Sequence, residues 1–84
     1  MKEVGKVTHY YGKIGVAIVE LSGEIKIGDK VRVQGGSHEF DQEVGSMEVD
    51  RQSVETAKKG DIVGLKVNEK APQGAKVHKL EEGE

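Results

Sequence analysis

The chain has 84 residues, 35% of them hydrophobic, no cysteine, and 13 Lys and Arg against 15 Asp and Glu, for a net charge of −2. That length predicts one small domain, 1–84, without room for separate catalytic and regulatory domains. The balanced charge excludes a generally basic nucleic-acid binder, and the missing cysteines exclude disulfide staples, thiolate zinc sites and cysteine nucleophiles. No apolar run approaches the ~20 residues of a membrane helix and the charged Met1-Lys2-Glu3 start does not resemble a secretion signal, so the expectation is a cytoplasmic chain with no membrane partner.

In chain order, Val4 to His9 alternates apolar and polar residues, and Val16 to Leu21 is a β-branched run bounded by Gly15 and Ser22-Gly23. Ile25 and Ile27 alternate with Glu24 and Lys26 ahead of Gly28-Asp29, and Val31 and Val33 alternate with Arg32 and Gln34 up to Gly35-Gly36. Phe40 to Val49 reads as one run carrying Val44 and Met47; Ile62 to Val67 follows Gly60-Asp61, and Val77 to Leu80 ends the pattern. Ser53 to Lys59 has a helix-like start and stop, but seven residues favour a single turn over a stable helix. Pro72 breaks any strand near 69–74, and Glu81-Glu82-Gly83-Glu84 is expected to be a frayed acidic tail. Short runs bounded by glycine, with no internal repeat, predict an all-β fold: a small closed antiparallel β-barrel of six to seven strands.

Catalytic chemistry finds no seed here. Gly23 to Gly28 has the glycine spacing of a phosphate-binding loop, but Asp29 stands where the lysine must be, and a carboxylate repels phosphate. His9, His38 and His78 are dispersed, and His38-Glu39-Phe40-Asp41 suits a solvated loop better than a metal site. The serines lie mostly in turn contexts, where a hydroxyl bonds to backbone. The expectation is no enzyme, with no catalytic residue, metal or cofactor.

Nucleic-acid binding has more support. Between Arg51 and Lys79 there are seven cations (Arg51, Lys58, Lys59, Lys66, Lys70, Lys76, Lys79) against Glu55, Asp61 and Glu69, net +4. A mildly basic surface of this kind can meet phosphates, and ordinary solvated lysines account for it equally well. The aromatics are only Tyr10, Tyr11 and Phe40, with Phe40 expected in the core and one tyrosine facing out.

Three fragments in order, Ser22 to Val33, Val44 to Arg51 and Ala57 to Val67, resemble the second domain of translational GTPases such as elongation factor Tu. Val4-Gly5-Lys6-Val7 and Gly74-Ala75-Lys76-Val77 fit that domain's first and last strands. The resemblance implies a translation-factor domain-2-like barrel, standing alone without a GTP-binding domain and so without GTP binding by this chain. Gly28-Asp29 and Gly60-Asp61 supply its tight turns, while Gly64 marks a bulge or a close backbone approach. It further implies a translation elongation factor-like RNA-binding role for Glu48 and Arg51, near the end of tRNA, and the local positive charge adds Lys58, Lys59 and Lys66 as cations expected to meet phosphate. Lys66 stands where that family carries an aliphatic residue. Barrels of this kind also resemble those at the C-terminus of collagenase-like peptidase-family proteins.

Two functions follow as expectations. The first is a non-catalytic module binding tRNA or ribosomal RNA. The alternative is a protein-binding accessory barrel completing a larger factor or a collagenase-like peptidase-family enzyme, which predicts a larger protein partner and an exposed apolar patch around Tyr10, Tyr11 and Ile14.

Overall fold

The computed structural model describes residues 2–80, so the acidic tail expected at 81–84 lies outside the described residues. Ten strands follow in chain order: β1 Lys2–Tyr11, β2 Val16–Leu21, β3 Ile25–Lys26, β4 Lys30–Gly35, β5 His38–Glu43, β6 Met47–Val49, β7 Gln52–Ser53, β8 Thr56–Ala57, β9 Ile62–Lys66 and β10 Lys76–Lys79. All described pairings are antiparallel. There is no helix among the described residues.

The apolar alternation decides which face turns inward. Ala17, Val19 and Leu21 of β2, Val31 and Val33 of β4, Val63 and Leu65 of β9 and Val77 of β10 all enter one core. A one-residue slip in any of these strands would exchange its inner and outer faces, so the pattern also sets the register. β1 departs from strict alternation, since Val4 and Val7 are both buried. The register shift between Glu3 and Gly5 accompanies this, because a bulge resets which side faces in, and the shift between Val7 and His9 likewise lets Tyr10 pack against the core.

Eight strands form one sheet in the order β5-β4-β10-β1-β2-β9-β6-β7, and β3 pairs separately with β8. The expected closed barrel of six to seven strands is therefore corrected to an open, rolled sheet: among the described residues no ladder joins β5 to β7. A side chain holds the roll together. Gln42 on β5 donates from Nε2 to the Lys66 carbonyl at 2.8 Å and accepts the Asn68 N–H on Oε1 at 2.8 Å. It thereby ties the edge strand to the chain leaving β9, which lies five places away in the sheet order. Only a rolled sheet brings those segments together. Gln42 is the buried polar residue among the described residues, 8% exposed, and its two principal bonds satisfy both ends of its amide.

A local repeat sits where β3 meets β8. In Lys26-Ile27-Gly28-Asp29 the Asp29 N–H donates to the Lys26 carbonyl at 3.1 Å, and Asp29 Oδ2 accepts the Lys26 N–H at 3.0 Å. In Lys58-Lys59-Gly60-Asp61 the same two bonds recur, each 3.0 Å. Gly28 and Gly60 both have φ of 95°, the third-position signature of a type II turn that glycine alone enters without strain. Ile25 and Ala57, just before these turns, are buried and directly paired. Two copies of one turn thus face each other across a small ladder, each feeding a strand whose first inward residue is a valine, Val31 or Val63.

Candidate functional site

The outer face of β1, β2, β9 and β6 carries the feature best shaped for binding. Inward placement of Val63 and Leu65 turns Ile62, Gly64 and Lys66 outward on β9. Register then sets Gly64 opposite Ile18 on one side and Glu48 on the other, with His9 beyond Ile18. The next outward row holds Tyr11, Val16 and Lys66. Together with Ile14 and the β6–β7 hairpin they bound an open groove of about 620 Å3.

Its lining is largely apolar for an outer surface. Tyr11, Ile14 and Ile62 are 48%, 60% and 58% exposed, and all three line it together with Val16 and Ile18. Contiguous exposed apolar area of this kind marks contact surfaces rather than random composition. Gly64 keeps the middle of the floor open: a Cβ there would meet Val16 Cγ1 at 3.4 Å and Ile18 Cδ1 at 3.9 Å. Pairing with β2 runs in unbroken register through it, so Gly64 lies inside β9, neither in a turn nor at a bulge. A glycine in a paired strand gives up side-chain packing, and its place at the groove floor leaves space for an incoming group.

The polar end is built by the β6–β7 hairpin. Val49 pairs with Gln52, leaving Asp50 and Arg51 as a two-residue loop with φ of 52° and 65°. Consecutive left-handed residues are the mark of the tight hairpin turn that suits sheet twist, a conformation that disfavours arginine. Asp50, Arg51 and Glu48 all line the groove. At the other end Lys66 Nζ donates to the Ile14 carbonyl at 2.7 Å and steadies the β1–β2 turn. The His9 and Tyr11 rings lie against each other with centroids 4.4 Å apart.

The five residues expected to contact RNA are divided by this geometry. Glu48 and Arg51 share the groove, and Lys66 is committed to the Ile14 carbonyl beside it. Lys58 and Lys59 belong to the turn that bonds to Leu21 at the far end of β2, away from Val16. Of the other cations in 51–79, Lys79 Nζ is 3.4 Å from Asp29 and Lys76 Nζ is 3.7 Å from Glu3. The groove members not expected from sequence are Val16, Ile18, Asp50 and Ile62. Of these, Ile62 carries a signal in the sequence, an isoleucine that strand alternation places on the side opposite Val63 and Leu65.

No family model matches the chain. It is 40% identical over 81 residues to an uncharacterized protease of Methanocaldococcus jannaschii and 34% identical over 83 residues to a collagenase of Porphyromonas gingivalis. These matches cover 95% and 96% of this chain but 20% and 23% of the relatives, so the chain spans about a fifth of their length. In fold it is similar to the C-terminal domain of a Geobacillus thermoleovorans protein assigned to the U32 peptidases, with a TM-score of 0.89 at 22% identity, covering 94% of this chain and all of that one. A second crystal structure of the same domain gives a TM-score of 0.89 at 22% identity, over 95% of this chain and 93% of that one.

These likenesses correct three expectations. The resemblance to domain 2 of translational GTPases, and the elongation-factor-like RNA-binding role drawn from it, give way to relatives named as a protease and a collagenase. The expectation of no enzyme is overturned by the same names, borne by chains about five times as long. The physical reason lies in the motif: glycine-aspartate followed by a valine strand encodes a turn, and this chain uses that turn twice within itself. The chain's curated relatives are thus a protease and a collagenase, and its fold is that of a U32 peptidase C-terminal domain.

Proposed function

We propose that this chain is the accessory β-domain of a protein of the U32 peptidase type, held against a larger portion of the kind its relatives carry. The observation that carries the reading is the pairing of coverages: nearly the whole chain aligns with one fifth of a protease-named relative. Its partner is accordingly a protein. The exposed Tyr11, Ile14 and Ile62 supply an apolar contact surface suited to one.

Mixing the chain with the Methanocaldococcus relative, from which the matching segment has been deleted, tests this. Size-exclusion chromatography with light scattering is expected to give a stoichiometric one-to-one complex. Two separate peaks at every concentration would remove the proposal.

A further inference from the structure

The groove has a shape and lining suited to such a partner. Its floor carries no side chain at Gly64, with Val16 and Ile18 beside the open position and Ile62 lining the same groove. Beside it stand two carboxylates, Glu48 and Asp50, against the single guanidinium of Arg51, so the lined polar end is net negative. The Asp50-Arg51 loop places these groups at the cost of an unfavourable backbone conformation, and strain kept at the lip of an apolar groove is a mark of binding. Ile27 is also exposed, but it lines different, smaller hollows.

We propose that an extended segment of the larger protease-type chain lies in this groove, seating an apolar side chain over Gly64 and an adjacent Lys or Arg against Glu48 and Asp50. The inference rests on the accessory-domain reading and names the surface and chemistry through which it works. The length of relative outside the matched fifth supplies the occupant, and the charge of the hairpin end sets the sign of its neighbour.

Hydrogen–deuterium exchange of the chain, alone and with the deleted Methanocaldococcus relative, tests the placement. Slowed exchange is expected in the β1–β2 turn and the β6–β7 hairpin. Ile62→Lys and Gly64→Leu are expected to weaken the complex by roughly tenfold or more, and Ile27→Lys by less than about twofold. Ile62 is exposed, so its replacement leaves folding intact, which a thermal melt verifies. Glu48→Lys combined with Asp50→Lys should weaken binding, and tighter binding instead would overturn the basic occupant. A wild-type complex indifferent to Ile62→Lys, or protected elsewhere, removes the groove and leaves the accessory reading standing. Protection of the groove in a dimer of the chain alone makes a second copy the occupant and overturns this one. No complex at all removes both.

Discussion

Gln42 and Asn68 are joined by a 2.8 Å hydrogen bond from a backbone N–H to a side-chain amide oxygen, and that bond ties the edge strand β5 to the chain leaving β9. The same amide donates to Lys66, so one side chain satisfies two backbone groups of a segment with no strand partner on β5. Gln42→Leu keeps the apolar bulk but leaves the Asn68 N–H and the Lys66 carbonyl without these partners. A loss of about 1–3 kcal/mol is expected from urea unfolding. Gln42→Glu should also destabilise, because a carboxylate can accept from Asn68 but cannot donate to Lys66. Unchanged midpoints in both variants would mean that water serves this seam as well as Gln42 does.

The twin turns at Gly28 and Gly60 predict twin mutational effects. Neither glycine has a heavy atom within 4 Å of where a Cβ would stand, so an alanine there costs backbone strain and creates no clash. Gly28→Ala and Gly60→Ala are each expected to cost about 1–2 kcal/mol, in similar amount. A large difference between them in thermal or urea unfolding would show that the two turns are held by different surroundings.

Strand positions are readable from the sequence wherever alternation is strict, as at Val31/Val33 and Val63/Leu65, because inward and outward sites differ in chemistry. The break between β5 and β6 is not. Val44 and Met47 continue the apolar pattern, and the chain is diverted by bonds from Val44 to the distant Gly28 and Asp29. β7 and β8 are two-residue strands defined by their partners, so Ser53 to Lys59 locally favours a turn or short helix. Gln42 looks like a surface residue among Asp41 and Glu43 until the sheet rolls. Half of the groove is visible in the sequence: Tyr11 and Ile14 declare themselves beside glycines, while Ile62 opens an apolar run and Gly64 reads as a bulge or a close backbone approach until register places both on the outer face.

Arg51 carries a third stability prediction. At φ of 65° its side chain pays for a conformation that glycine enters freely. Arg51→Gly turns the loop into Asp-Gly, a favoured sequence for this two-residue hairpin. Stability is expected to rise by up to about 1 kcal/mol, read as a higher urea midpoint with an unchanged slope. A fall in stability instead would show that the guanidinium makes contacts worth more than the backbone strain.

Acid should loosen the β4–β5 pair through Asp41. Arg32 faces Asp41 across the ladder, donating from Nε to Oδ1 at 2.6 Å and from Nη2 to Oδ2 at 3.0 Å. The hydrogen bonding from Arg32 holds the carboxyl below its usual value of 3.8, against an opposing effect of desolvation and with further help from the guanidinium charge. Because the folded value lies below the unfolded one, this group stabilises the fold above the ordinary aspartate range. That contribution disappears as pH falls through the lowered folded value. Asp41→Asn should therefore lower stability at neutral pH and flatten its decline between pH about 4 and more acid conditions. Both side chains are partly exposed, so the effect is small and shrinks with added salt. Parallel acid profiles for the wild type and Asp41→Asn in thermal unfolding would show that the bidentate pair does not hold in solution.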